Sequence, residues 1–302
     1  MRYLAYDMPA RVAIRAIDST RGATYLAFGN SLIEAAFDSA AFAENMNPEP
    51  AVALNAGLGG TSSVQHLLLL REALRRDPTI KVVIYGFYDF QLSETGKLKN
   101  ADLIGNYAIS YYLNPEIALR YYQMSPRDRL EFEVMRRLPM MVERGKLWQK
   151  VELLRRALGG IGMPHEQNNR FGRAADFNLL EATREDFVSA CARWSAPTAG
   201  LSRPILEIIR ESQAHGAKLV FVEMPMPPFH QQTYYNLPQW SRYRSKLREL
   251  VTQTGSEYVS ASDWISDPAE FVDHLHLGQA GAQDFTRRLA LYIRSQSGKG
   301  SM

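Results

Sequence analysis

Short apolar runs that stop at glycine, each followed by residues in helical spacing, recur through this chain and leave few folds open to it. Tyr25-Leu26-Ala27-Phe28 ends at Gly29, and Leu32 to Phe42 follows with a helical pattern. Ala51 to Asn55 reads as a second strand, closed by Gly57, Gly59 and Gly60, before an apolar stripe at positions 64, 67, 68, 70 and 74. Lys81 to Tyr85 is a third strand ending at Gly86. After a long interval the pattern resumes. Ile205 to His215 reads as a helix, and Lys218 to Glu223 as a strand stopped by Met224-Pro225-Met226-Pro227-Pro228. Arg242 to Thr254 reads as a helix, Glu257 to Ser260 as a short strand, and Gly281 to Arg294 as a closing helix. Alternation of this kind predicts a parallel sheet covered by helices on both faces. The expected architecture is α/β, a three-layer α/β/α sandwich built on a flavodoxin-like sheet of five parallel strands.

Between 97 and 204 the β-branched runs disappear. Tyr107, Tyr111, Tyr112, Leu119 and Tyr122, then Leu147, Val151, Leu154 and Leu158, recur at helical spacing, with a break at Gly159-Gly160-Ile161-Gly162-Met163-Pro164. The reading is one domain over 1–302 carrying a large, mostly helical insertion at 97–204, whose tyrosines pack a core or a lid.

Composition removes several function classes. At 46% hydrophobic and 22% charged the chain folds as a globular protein. Its 35 basic and 32 acidic residues leave a net charge of +3, too slight and too evenly spread for a nucleic-acid face. No apolar run approaches the roughly 18 residues of a membrane span. Cys191, the single cysteine, has no partner for an internal disulfide. Arg2, Asp7, Arg11 and Arg15 leave no signal-peptide core, so the expected address is cytoplasmic, or the bacterial envelope if a leader or anchor has been removed.

In doubly wound sheets ligands bind beyond the carboxyl ends of the strands, so chemistry is sought just after each strand. Gly29-Asn30-Ser31 puts a serine hydroxyl where a strand turns into a helix, a place for a nucleophile whose oxyanion meets its own amide. The competing use is a helix cap, since Ser31-Leu32-Ile33-Glu34 has capping-box spacing. Gly57-Leu58-Gly59-Gly60-Thr61-Ser62 allows a close backbone approach, or is a plain turn with Ser62 and Gln65 as a second capping box. It matches no phosphate-binding loop. Tyr88, in Gly86-Phe87-Tyr88-Asp89, either donates to an oxyanion or packs on the insertion. Asp273-His274-Leu275-His276 spaces a carboxylate and an imidazole as the base and orienter of a triad. Two alternatives stand beside it: a metal at His274 and His276, against which a zinc site needs at least three protein ligands, and a loop before a helix whose polar residues have no chemical role.

Three of these segments resemble the blocks of the SGNH hydrolase superfamily, the GDSL-type lipases and esterases with their carbohydrate acetylesterase and O-acetyltransferase relatives. Gly29-Asn30-Ser31-Leu32 is similar to Gly-Asp-Ser-Leu, Asn55 to Gly60 to Asn-x-Gly-x-x-Gly, and Asp273 to His276 with Leu277 and Gly281-Ala282 to the terminal Asp-x-x-His block. The resemblance implies a triad of Ser31, His276 and Asp273, with oxyanion donors at the amides of Ser31 and Gly60. It departs at the third block, Gly-x-Asn-Asp, where Tyr88 stands in place of the donating Asn. It implies acyl transfer from an ester of a small molecule or a glycan, with no cofactor and no metal, by hydrolysis or by transfer to an acceptor. Asn30 and Asp89, with Phe229 and His230 after the fourth strand, are the residues expected to line the substrate pocket. For His230, and for at least half of Phe229, Tyr234, Tyr235 and Trp240, packing is the competing use. A non-catalytic binding or assembly protein on the same scaffold is the alternative that Tyr88 and Asn30 favour.

Overall fold

The computed structural model describes residues 13, 16–48, 50–93, 120, 121, 125–137, 180 and 182–297. Five strands, β1 (Tyr25–Gly29), β2 (Ala53–Asn55), β3 (Val82–Phe87), β4 (Lys218–Glu223) and β5 (Glu257–Ser260), form one sheet in the order β2-β1-β3-β4-β5. Every neighbouring pair is parallel. This is the flavodoxin-like order, and its switch point lies between β1 and β3.

Helices cover both faces. Tyr25 and Phe28, three apart on β1, point to opposite sides, since strand side chains alternate. Tyr25 meets Phe42 of α2 (Ser39–Asn45), whereas Phe28 meets His66 of α3 (Ser63–Arg76). One layer holds α1 (Ser31–Ala36), α2 and the closing helix α8 (Gln279–Ser297). The other holds α3 and α6 (Arg203–Ala214), with α7 (Pro238–Gln253) over β5 and α5 (Arg184–Ser195) against α7. Helix α4 (Pro126–Arg137) lies in the segment between β3 and β4. The core runs as edge-on aromatic contacts from Phe28 through Tyr85 to Phe221, at 4.8 and 5.5 Å between ring centres. Among the described residues no helix is long and apolar enough to cross a membrane.

The strands at 218–223 and 257–260 fall where the sequence puts them. Several boundaries move, among them the second strand, which starts at Ala53, and the helix expected from Arg242, which starts at Pro238; two moves show their physical reason. The helix expected over Leu32–Phe42 is two, α1 and α2, because Asp38 accepts from the amides of Ala40 and Ala41 and starts a new helix. The third strand runs through Gly86 to Phe87, since Gly86 pairs with Gly29 of β1 and Val222 of β4. There Gly29 has φ +144°, and a Cβ on it would lie 2.5 Å from the Gly86 carbonyl oxygen. Glycine is therefore required where β1 turns into α1. Most of 97–204, with Tyr107, Tyr111, Tyr112 and the Gly159–Pro164 break, lies outside the described residues.

Candidate active site

Asn30, extended at φ −85° and ψ −162°, caps α1: its side-chain oxygen accepts from the Leu32 amide at 2.9 Å. The cap expected of Ser31 thus belongs to its neighbour. Ser31 becomes the first helical residue, and its Oγ lies 2.8 Å from His276 Nε2. Glu34, the other half of the expected capping box, accepts instead from the Gly59 amide at 2.7 Å.

His276 comes from the loop between β5 and α8, which is pinned by a bridge pairing Phe271 with Leu277 and by the Val272 amide donating to the His276 carbonyl at 2.9 Å. Asp273 Oδ1 accepts from the amides of Leu275 and His276 at 2.8 and 2.7 Å. The imidazole Nδ1 lies 2.9 and 2.8 Å from the two carboxylate oxygens. Burial works to raise the Asp273 carboxyl, but the imidazole and both amides outweigh it and hold it below the usual carboxylate range. An ionised carboxylate only accepts, so Nδ1 carries a hydrogen, and in the neutral imidazole the Nε2 lone pair then faces the Ser31 hydroxyl. The two ring nitrogens thus face Asp273 and Ser31. Ser31, His276 and Asp273, three residues expected at one site, thus lie within hydrogen-bonding reach of one another from opposite ends of the chain.

The glycine loop lies against α1. Asn55 donates through Nδ2 to the carbonyls of Ile33, Glu34 and Phe37, and its Oδ1 accepts from the Gly57 amide at 2.9 Å. The Leu58 amide donates to the Gly29 carbonyl at 3.0 Å. Gly60 is exposed with φ +70°, a left-handed conformation that favours glycine even though a Cβ would meet nothing there. Beyond it, Gln65 Oε1 accepts from the Ser62 amide at 2.5 Å and the Ser62 hydroxyl at 2.8 Å, so the cap reading holds at that position.

The residues expected to line a pocket divide. Asn30 is buried, caps α1 and donates to Gln91 Oε1 at 3.3 Å. Asp89, at φ +45°, accepts from the Tyr235 hydroxyl at 2.7 Å and pairs with His230 Nε2 at 3.1 Å. His230 is buried edge-on to Phe187, Tyr234 and Tyr235. Tyr234, Tyr235 and Trp240 are core residues, with Tyr235 stacked on Trp240 at 4.3 Å. These side chains serve packing because the turn after β4 meets α5 and α7, contacts that local sequence does not reveal. Phe229 and Tyr88 are half-buried, and Tyr88 packs against the core.

Three residues at the site escape the sequence reading: Glu34, Asn55 in its bonding role, and His66. Of these His66 carried a signal, a histidine within the apolar stripe of α3 directly after the glycine loop.

No family model matches the chain, and no curated protein matches it. Solved structures do. An acylhydrolase candidate from Bacteroides fragilis aligns over 97% of this chain and 99% of its own, at 11% identity and a TM-score of 0.45. A GDSL-like lipase from Bacteroides thetaiotaomicron aligns over 95% and 97%, at 9% identity and a TM-score of 0.42. A carbohydrate acetylesterase from Sinorhizobium meliloti aligns over 91% and 99%, at 12% identity and a TM-score of 0.41. Likenesses this distant carry no argument about activity, which has to come from the chain's own side chains.

Proposed function

We propose that this chain is a serine-dependent acyl-ester hydrolase or acyltransferase, one catalytic unit interrupted by the segment 97–204. The observation that carries the reading is the hydrogen-bond series from Ser31 Oγ to His276 Nε2 at 2.8 Å and from His276 Nδ1 to Asp273 at 2.8 Å. In the proposed step His276 Nε2 takes the Ser31 proton while Oγ attacks the ester carbonyl carbon. Asp273 keeps the imidazole in the tautomer that leaves Nε2 free to accept, and stabilises the imidazolium that forms. The amides of Ser31 and Gly60 are assigned to the tetrahedral oxyanion, with the Tyr88 hydroxyl as a third donor in place of the family's Asn. The imidazolium then protonates the leaving alkoxide. Water, or an acceptor hydroxyl, then gives its proton to Nε2 as it attacks the acyl-enzyme carbonyl, and the imidazolium returns that proton to Ser31 Oγ as the acyl–enzyme bond breaks.

The acyl group is assigned as a short one, such as acetyl, on a carbohydrate or another small ester, with half-buried Phe229 at the substrate side. Turnover of a chromogenic short-chain acyl ester tests this. Ser31→Ala is expected to abolish it, and equal rates for variant and wild type would remove Ser31 from the mechanism. Tyr88 favours a second reading, a binding protein on this scaffold. Losing one oxyanion donor costs about a hundredfold or more in rate, so a poorly placed Tyr88 hydroxyl leaves little activity. A wild type that turns over no ester while keeping its fold would decide for that reading.

A further inference from the structure

Beneath the glycine loop lies a histidine for which the proposed chemistry has no use. His66 is fully buried in α3, and its ring meets those of Phe28 and Tyr85 edge-on. Nδ1 lies 2.8 Å from the Tyr85 hydroxyl on the central strand β3, and Nε2 lies 2.8 Å from Thr61 Oγ1 in the loop. Thr61 Oγ1 also donates to the Leu58 carbonyl.

These contacts fix the direction of every proton. A threonine hydroxyl has one hydrogen, and the Leu58 carbonyl can only accept, so that hydrogen points to Leu58. His66 Nε2 must then be the donor to Thr61. That makes Nδ1 the acceptor and Tyr85 the donor, giving a one-way series from Tyr85 through His66 and Thr61 to Leu58. Burial pushes the His66 pKa down to about 3 and holds the Tyr85 hydroxyl well above its ordinary value. The imidazole stays neutral and the phenol keeps its proton, as the series requires. Bonds aligned head to tail polarise one another, and in a dry interior leaving any of them unmade is costly.

We propose that His66 is a positioning residue: it transmits the rigidity of the central strand, through Thr61, to the loop 57–60 that presents the oxyanion amide to Ser31. The loop is thereby held from two sides. Glu34 fixes Gly59 from the serine's own helix, and the His66 series fixes Leu58 from below. This deepens the esterase reading and rests on it for its effect on rate, whereas the hydrogen-bond series itself does not depend on activity. A preorganised donor acts without reorganising as charge develops, so a loosened loop lowers kcat more than it raises KM.

The test uses the full chain and two conservative variants. Thr61→Val removes the hydroxyl at similar size, and Thr61→Ser restores it. Thr61→Val should lower kcat about tenfold, a part of what deleting an oxyanion donor costs, with KM changed less than about twofold and Thr61→Ser close to wild type. Hydrogen–deuterium exchange should rise in peptides covering 57–62 of Thr61→Val and stay unchanged in those covering β4 and β5. Nitrogen-15 NMR of the His66 ring at pH 7 should show hydrogen on Nε2 alone. Unaltered loop exchange in Thr61→Val, or hydrogen on Nδ1, overturns the proposal whatever the activity. A wild type inactive on esters sinks the esterase reading instead, and the exchange and NMR results still decide this one.

Discussion

Among the described residues, two aspartate–histidine pairs have nearly equal geometry and opposite use. Asp273 and His276 lie 2.8 Å apart in the loop before α8, and Asp89 and His230 lie 3.1 Å apart just after β3 and β4. In the first pair the carboxylate takes Nδ1 and leaves Nε2 facing Ser31. In the second the carboxylate takes Nε2 and is shared with the Tyr235 hydroxyl, while the ring sits among Phe187, Tyr234 and Tyr235. Spacing differs too. Three residues on one turn let the Asp273 carboxylate also collect the backbone amides of Leu275 and His276, whereas Asp89 and His230 are 141 positions apart and join two loops. A carboxylate beside an imidazole is therefore not a catalytic signature. It becomes one when the second nitrogen is presented to a nucleophile at the edge of the protein.

Substitutions that remove one pair at a time should separate the two uses. Ser31→Ala and Asp273→Asn stand at the large end. Asp273→Asn should cut kcat by about 10⁴-fold, because an amide in that place favours the wrong imidazole tautomer, while circular dichroism stays native. A drop of less than about tenfold would show that Asp273 does not orient His276. Asp273 also gives stability a pH dependence. Its folded-state pKa lies below the ordinary value, so its contribution is complete above the unfolded carboxyl pKa and is lost as pH falls through the lowered one. Denaturant melts from pH 7 down to pH 3 should fall more steeply for wild type than for Asp273→Asn.

The Asp89–His230 pair should respond in stability and not in rate. Burial keeps the Tyr235 hydroxyl protonated, and it both donates to the Asp89 carboxylate and accepts from the Asp89 amide. Tyr235→Phe should cost about 1–2 kcal/mol in denaturant unfolding and change kcat less than about threefold. A large loss of kcat with full stability would move this pair into the catalytic site. The smallest effect is expected at Glu223, a carboxylate fully buried at the end of β4 without a histidine. Tyr258 and Ser260 donate to it at 3.0 Å, and Arg244 lies 3.8 Å away. Burial holds its carboxyl above the ordinary range, so folding binds a proton there and the charged form becomes a liability as pH rises. Glu223→Gln should therefore stand higher in stability relative to wild type at pH 8 than at pH 5, a difference read by denaturant melts at the two pH values.

Much of this was legible in the sequence because it is local. Lys218–Glu223 and Glu257–Ser260 are short apolar runs with clear stops, and both strands appear where those runs lie. Asp273 and His276 are close in sequence, so their pairing follows from spacing, and the switch point after β1 marks Ser31. What local pattern misses is competition between neighbours. Asn30 and Ser31 both suit a helix cap, and only the approach of His276 decides that Asn30 takes it. The break at Phe37 and Asp38 needs the Asn55 side chain on the carbonyls of α1 and Thr286 of α8 donating to the Ala36 carbonyl. The burial of Tyr234, Tyr235 and Trp240 likewise needs α5 brought back against α7. Each of these partners lies far along the chain, where periodicity carries no information.

The central claim is that the Ser31 hydroxyl is activated by His276. Mass-spectrometric mapping after treatment with a serine-reactive fluorophosphonate probes it most directly. The expected result is one adduct, on the Ser31 peptide, absent in Ser31→Ala and formed far more slowly in His276→Gln. An unlabelled Ser31 in folded wild-type protein, or labelling equally fast without His276, would contradict it.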